Sequence, residues 1–153
     1  MLKTILVGYD GTRPAEQALT RAGELAGAFD ARVLVVSVAA PEPVTSTGGA
    51  FGLLPYYYPT TEANAQADEA VWNLHRERVE AYFAELGVPV EFSGLSGPAV
   101  EEIVDTARDR EVDLIVVGTR DPGFLERLLG GSVSQGVARH ARCDVLIVHT
   151  PDR

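Results

Sequence analysis

The residues best suited to chemistry lie between positions 118 and 134, in the stretch GTRDPGFLERLLGGSVS. Gly130 and Gly131 leave the backbone without Cβ atoms, so a phosphate can approach it closely. Ser132 and Ser134 carry hydroxyl groups that can cap a helix or donate a hydrogen bond to a phosphate oxygen. These features predict an anion site. The alternative interpretation is an ordinary glycine turn followed by a serine cap.

A buried strand and a helix flank this loop and would position it. Before the loop, residues 113–118 (DLIVVG) form an apolar run typical of a parallel strand that is buried on both faces. After it, Val133, Val137 and Ala141 recur at helical spacing and predict a helix over Ser134–Ala141. The free N–H groups and the dipole at the start of such a helix favour negative charge in the preceding loop.

The rest of the chain alternates between strand and helix patterns. Further strands are predicted over Lys3–Gly8, Arg32–Val38, Pro89–Phe92 and Asp144–His149. Further helices are predicted from a Thr12 cap to Phe29, over Glu62–Leu86 and over Ala99–Arg110. The order βαβαβαβαβ predicts a three-layer α/β/α sandwich with a five-stranded, mostly parallel sheet. Because no boundary interrupts this order, we expect residues 1–153 to form a single domain.

The long helix over Glu62–Leu86 has one apolar and one charged side. Its charged side predicts a solvated outer face, and we expect His75 to be a surface residue as well. The residues predicted to face the sheet are Val71, Leu74, Val79, Tyr82, Phe83 and Leu86.

Three strands end in residues that could share one ligand. Asp10 follows the first strand, Val38 ends the second and Gly118 ends the fourth. In open parallel sheets, ligands bind beyond the carboxyl ends of the strands, where the strand order reverses. If the first and fourth strands are neighbours, Asp10 could accept a hydrogen bond from a ribose hydroxyl or hold a metal-bound water. The alternative for Asp10 is a turn residue that accepts hydrogen bonds from its own backbone.

Composition restricts the partners and the compartment. The formal net charge of −9 argues against a nucleic-acid partner, because that binding depends on clustered Lys and Arg. No apolar run is long enough to cross a bilayer and no leader pattern follows Met1, so we expect no membrane partner. The lone Cys143 cannot form an internal disulfide and fits a reducing compartment. The sequence thus predicts a cytoplasmic protein.

Standard catalytic and phosphate-binding motifs are absent from the sequence. It has no G-x-x-x-x-G-K-[ST], and its first strand-to-helix turn, GYDGTRP, is not G-x-G-x-x-G. It also lacks a G-x-S-x-G elbow, and none of the three histidines has a partner at metal-ligand spacing. We therefore predict no catalytic residue and no metal ligand.

The segment from Ala39 to Thr61 is a long loop insertion with four prolines and the apolar patch Phe51–Tyr58 (FGLLPYYY). Loops of this length are usually functional or disordered, and a disordered linker would contain fewer aromatic residues. We expect the segment to fold over a cleft or against a second subunit. The alternative is a mobile surface excursion.

Two stretches resemble the universal stress protein (Usp) family. Residues 5–12 (ILVGYDGT) are similar to that family's first strand and turn, and residues 131–148 (GSVSQGVARHARCDVLIV) to its last helix and strand. Nucleotide-binding members carry G-x-x-G, nine residues and then G-[ST]. The present chain has Gly118-Thr-Arg-Asp121, nine residues and Gly131-Ser132, so it departs from the motif only at Asp121.

The resemblance implies a flavodoxin-like, adenine nucleotide alpha hydrolase-like fold with strand order 3-2-1-4-5. It also implies a homodimer that pairs through the last strand, Asp144–His149. In ATP-binding members, the matching positions contact the nucleoside and the phosphates. In this chain those positions are Asp10, Val38, Gly118, Gly131, Ser132, Val133 and Ser134, and Thr119 and Arg120 are expected to be loop contacts.

Asp121 bears on which nucleotide such a site would hold. Two unit charges about 4 Å apart repel by roughly 4 kcal/mol at an effective dielectric constant near 20. Arg120, Arg127 or a bridging Mg²⁺ would offset this repulsion. Without such an offset the site would favour AMP-like ligands, or none.

Three functions follow as hypotheses. The first is a stress-response protein that binds ATP, or a related adenine nucleotide such as AMP or cyclic AMP, as a regulatory ligand. The second is a homodimeric interaction module that binds no nucleotide and meets a protein partner through Phe51–Tyr58. The third is weak ATP hydrolysis. The sequence supports no stronger enzymatic activity than this, because it contains no residue that is clearly placed as a catalytic base.

Overall fold

Five strands and four helices alternate in the part of the chain that the computed structural model describes, residues 1–39, 62–120 and 133–150. The strands are β1 (Thr4–Gly8), β2 (Arg32–Ala39), β3 (Val90–Ser96), β4 (Leu114–Arg120) and β5 (Asp144–Thr150). The helices are α1 (Arg13–Phe29), α2 (Glu62–Leu86), α3 (Ala99–Asp109) and α4 (Val133–His140). Every predicted strand and helix is therefore present.

The strands form one parallel sheet with the order β3-β2-β1-β4-β5. β1 lies at its centre, where Val7 pairs with Val35 of β2 and with Val116 of β4. The chain runs from β1 to one edge of the sheet and then crosses to β4 on the other side of β1. The strand order thus reverses between β1 and β4, as the resemblance implied, and a crevice opens there beyond the strand ends.

Alternating residues of the strands enter two separate cores. Ile5 and Val7 of β1 pack with α1 residues and with Val79 and Phe83 of α2. Leu6, between them, packs on the other face of the sheet with residues of α3 and α4. Since successive side chains of a strand point to opposite faces, β1 contributes to both cores, and the three-layer sandwich is confirmed.

Strand β3 runs four residues beyond its predicted end at Phe92. It pairs with β2 from Val90 through to Ser96. The extension includes Gly94, where an added Cβ would lie 2.3 Å from the ring of Trp72. The sequence S-G at this point resembles a turn, but the glycine instead lets the Trp72 indole lie directly on the strand.

The inward face of α2 was predicted only in part. Val79 and Phe83 are fully buried, as expected. Val71, Leu74 and Leu86 are exposed, which corrects that prediction. The inward-facing stripe instead runs from the half-buried Trp72 and His75 to the buried Val79 and Phe83, and the exposed residues lie beside it or at the helix end. In α1, Phe29 is likewise exposed, because it is the last residue of the helix.

Candidate functional site

A cavity of about 280 Å³ opens at the carboxyl ends of β1 and β4. Its apolar walls include Val36 and Val38 of β2, Val117 of β4 and Ile103 of α3. Its polar lining includes Asp10, Thr12 and Ser134. The cavity therefore lies at the point where the strand order reverses and combines an apolar interior with a few polar groups, as small-molecule sites usually do.

Asp10 shapes the turn between β1 and α1. Its Oδ1 accepts hydrogen bonds from the Thr12 backbone N–H at 3.0 Å and from the Thr12 hydroxyl at 2.5 Å. The Thr12 hydroxyl in turn caps α1 by accepting from the Ala15 N–H. The alternative interpretation of Asp10 as a turn residue is thus correct. Asp10 is also exposed and lines the cavity, so the two interpretations do not exclude each other.

Gly118 lies where the first turn of α1 meets β4. A Cβ at this position would lie 2.1 Å from the carbonyl oxygen of Pro14 and 2.4 Å from its carbonyl carbon. Real Cβ atoms essentially never come so close, so only glycine lets the helix begin this near to the strand. Gly118 is therefore required by packing, whatever the cavity binds.

Helix α4 begins at the rim of the same cavity. Val133 and Ser134 both line it, and Ser134 is buried whereas Val133 is 44% exposed. The first N–H groups of an α-helix have no partner within the helix, and its N-terminus carries a partial positive charge. This end of the cavity can accordingly accept an anionic group.

His75 of α2 lies next to the turn of Asp10, which corrects its prediction as a surface residue. Its Nδ1 and the buried Ser37 hydroxyl are hydrogen-bonded at 2.9 Å. Its ring meets the ring of Tyr9 edge to face, with centroids 5.1 Å apart at 83°. Burial lowers the pKa of His75, and the carboxylates of Asp10 and Glu16 oppose this effect only in part.

The same side of the site contains a charged link between α1 and α2. The buried Tyr9 hydroxyl donates to Oε1 of Glu16 at 2.5 Å, and the Arg78 guanidinium donates to the same oxygen. Burial, with further contributions from Glu16, raises the pKa of Tyr9 to about 12. Burial opposes ionisation of Glu16, but the hydrogen bonds from Arg78 and Tyr9 outweigh it and lower the pKa of this carboxyl. Tyr9 is thus a hydrogen-bond donor at neutral pH.

The universal stress protein family model matches residues 1–149 of this chain. The chain belongs to the universal stress protein family. A universal stress protein from Thermus aquaticus is 39% identical over 149 residues, which cover 97% of this chain and 99% of the relative. Another universal stress protein, from Mycobacterium tuberculosis, is 34% identical over 156 residues, and the match covers 97% of each chain.

A solved structure supports the same assignment. It is the crystal structure of a universal stress protein in complex with cAMP, 28% identical to this chain, and the match covers 97% of both chains with a TM-score of 0.66. The adenine nucleotide alpha hydrolase-like fold and the strand order 3-2-1-4-5 implied by the resemblance are therefore confirmed.

The cavity of this universal stress protein brings together several positions of the predicted site. Those that line it are Asp10, Val38, Gly118, Val133 and Ser134. Thr119 follows Gly118 in β4 and pairs with His149 of β5, but it does not line the cavity. The backbone of Arg120 ends β4, opposite Thr150. Ligand contact remains a prediction at all of these positions.

Other predicted residues lie outside the described part of the chain. They are Gly131, Ser132, Asp121 and the loop patch Phe51–Tyr58, together with nearly all of the predicted insertion over 39–61. In the residues that the structure does describe, no group of three His, Cys, Asp or Glu side chains is arranged to hold a metal ion. None of the helices described is both long and apolar enough to cross a membrane.

Sequence reasoning missed His75 because charged residues surround it along α2. One signal could have found it. His75 precedes Val79 by four residues and Phe83 by eight, the spacing of one helix face, and both of those residues were predicted to point inward. The inward-facing stripe thus contains a half-buried histidine, which had been expected to be a surface residue.

Proposed function

We propose that this universal stress protein binds an adenine nucleotide in the cavity between β1 and β4, as a regulatory ligand in a stress response. The observation that carries the proposal is the convergence of Asp10, Gly118 and the start of α4 on one cavity where the strand order reverses. The related structure in complex with cAMP supports an adenine nucleotide as the class of ligand.

The lining of the cavity suits the parts of a nucleotide. Val36, Val38 and Ile103 offer an apolar surface for a flat base. The exposed carboxylate of Asp10 can accept a hydrogen bond from a ribose hydroxyl. The N-terminus of α4, with Val133 and Ser134, favours a phosphate.

We further propose that the remaining motif positions hold the phosphates. These positions are Gly131 and Ser132, with Thr119 and Arg120 as further loop contacts. The carboxylate of Asp121 would oppose a long phosphate chain, so ATP would need Mg²⁺ or a nearby arginine, whereas AMP and cyclic AMP carry less charge. We accordingly expect cyclic AMP and AMP to bind more tightly than ATP when Mg²⁺ is absent. Added Mg²⁺ should reduce this difference in affinity.

We also propose a homodimer that pairs through β5. This strand lies at one edge of the sheet, and its apolar residues Val145–Val148 are only half-buried, whereas those of central β1 are fully buried. An edge strand with half-buried apolar side chains is a surface that a second copy can cover. Light scattering coupled to size-exclusion chromatography tests this proposal, which expects twice the chain mass of 16.4 kDa. A monomer at all concentrations contradicts it.

Isothermal titration calorimetry with cyclic AMP, AMP and ATP–Mg²⁺ tests the nucleotide proposal. We expect saturable binding of at least one of them, and a loss of about tenfold in affinity for Asp10→Asn, which keeps an oxygen for Thr12 but loses the charge. The matched control is Asp30→Asn. Asp30 is exposed, ends α1 in a left-handed conformation that Asn also adopts, and does not line the cavity. Buffer-level heats for all three nucleotides refute the proposal.

A second candidate function is a homodimeric interaction module that binds no nucleotide. The packing of Gly118 against Pro14 favours it, because this motif glycine is required even when no ligand binds. The two functions differ in their response to Gly131→Ala. In the nucleotide-binding protein this change weakens ligand binding, whereas in the module it leaves partner capture unchanged and only deletion of Phe51–Tyr58 abolishes it.

A further inference from the structure

The turn that carries Asp10 has a second neighbour besides the cavity. His75 of α2 approaches it on the face of the sheet that α1 and α2 cover, and it does not line the cavity. The cavity is lined by Val36, Val38 and Ile103 from the other face of the sheet, and also by Tyr9 and Ala15 from this face. The turn of Asp10 and Gly11 therefore lies between a candidate ligand site and a partly buried imidazole.

Gly11 and the imidazole of His75 fit closely together. Gly11 has a φ of +77°, and a Cβ at this position would lie 2.8 Å from His75 Nε2. The ring thus fills the space beside the turn that the missing side chain leaves. A shift of the turn towards α2 is blocked by the ring, because interiors are close-packed and a shift of a few tenths of an ångström already brings atoms into repulsion.

The sheet fixes the ring in this position. Ser37 of β2 holds Nδ1 at 2.9 Å, and the ring of Tyr9 bounds one side of the imidazole. Both Ser37 and Tyr9 are 3% exposed, and the Tyr9 N–H donates to Val36 O at 2.9 Å, so both are anchored in the sheet. His75 consequently has little freedom to rotate and transfers the rigidity of the sheet to the turn.

From these contacts we infer that His75 is a positioning residue for Asp10: by holding the Asp10–Gly11 turn from behind, it sets the affinity of the cavity for its nucleotide. The inference rests on the proposed function. It assigns to α2 a role in ligand binding that does not require any contact between α2 and the ligand.

The test is a double-mutant cycle in the full chain with cyclic AMP as the probe. In His75→Asn, the amide reaches the position of Nδ1 and keeps a partner for Ser37, but it leaves the space beside Gly11 empty. We expect cyclic AMP to bind five- to tenfold more weakly. In the Asp10→Asn background, the same change should weaken binding less than twofold, because the group that His75 positions has already been lost.

The control is Glu77→Gln, an exposed position on the same helix, which should leave affinity unchanged. Ser37→Ala is a second test if His75→Asn does not fold, because it removes the hydrogen bond to His75 Nδ1 and keeps the ring. We expect a smaller loss of cyclic AMP affinity, and this loss should again be reduced in the Asp10→Asn background. Equal losses in both backgrounds, or no loss at all, overturn the positioning role while nucleotide binding stands. Failure of the unmodified protein to bind cyclic AMP, AMP and ATP–Mg²⁺ refutes the proposed function itself, and the positioning role with it.

Discussion

Replacing Gly118 by alanine tests whether the start of α1 depends on a bare backbone in β4. The new methyl group would lie 2.1 Å from the Pro14 carbonyl oxygen, 2.4 Å from its carbonyl carbon and 2.9 Å from its Cβ. Two of these atoms belong to the backbone, so no side-chain rotation relieves the clash. The first turn of α1 must instead move by about 1 Å or more to restore ordinary van der Waals contact.

We expect Gly118→Ala to lower the free energy of unfolding by about 3 kcal/mol, the upper end of the range for overpacked interiors. The reason is that further contacts hold both the strand and the helix in place. For a chain of this size that corresponds to a fall in melting temperature of roughly 6 to 12 °C. The same movement displaces Pro14 relative to Thr12 and Asp10, so nucleotide affinity should also fall. Urea unfolding followed by circular dichroism measures the first effect, and calorimetric titration the second.

Gly27→Ala is the matched control, since it makes the same chemical change in α1 itself. A Cβ at Gly27 meets no atom within 4 Å. Alanine there should stabilise the protein by about 0.5 kcal/mol or more through helix propensity. If the free energy of unfolding of Gly118→Ala is within about 0.5 kcal/mol of that of the unmodified protein, packing does not require this glycine.

Three other changes address the ionisable groups. Tyr9→Phe keeps the ring against His75 but removes the hydrogen bond to Glu16, and we expect a loss of about 1 to 2 kcal/mol in urea unfolding; an unchanged midpoint would count against the Tyr9–Glu16 contact. The pKa of His75 is lowered in the folded protein, so the unfolded chain binds more protons and stability should fall as the pH drops below 6.5. His75→Gln should flatten that slope below pH 6.5, and identical slopes for this variant and the unmodified protein would refute the assignment. Asp113 accepts hydrogen bonds from the N–H groups of Lys3 and Thr4, which lower its pKa, so its stabilisation should be present above pH 3.8 and lost as the pH falls through the folded-state pKa. Asp113→Asn should be less stable than the unmodified protein at pH 6 and approach it in acid, and a constant difference across that range would contradict this.

The sequence allowed the order of the elements to be predicted because each has a clear hydrophobic period. The apolar run of β4 and the alternation of strands with helices led to the parallel sheet, and the cap at Thr12 gave the start of α1. The carboxyl-end rule then brought Asp10, Val38 and Gly118 to one cavity. These inferences use local patterns and one rule of topology, together with the strand order that the family resemblance implied.

The predictions that failed depend on contacts between distant residues. Ser93-Gly94 resembles a turn until Trp72, 22 positions earlier, is placed on the glycine. His75 resembles its charged neighbours until Ser37 and Tyr9 are placed beside it. The packing of Gly118 was not foreseen, because the Pro14 carbonyl that it approaches is 104 positions away in sequence. Neither period nor propensity encodes such contacts.

Trp72 is the only tryptophan of the protein, and it precedes His75 by three residues on the same face of α2. Its indole lies on the backbone of Gly94 in the edge strand β3. The tryptophan fluorescence of this protein therefore reports on one location, the contact between α2 and β3, and Trp72 does not line the crevice. A ligand held only by the crevice would leave that emission untouched. A change in emission on ligand addition would mean that α2 itself senses occupancy, and the long helix would then be the means by which a bound nucleotide is signalled to the outer surface of the molecule.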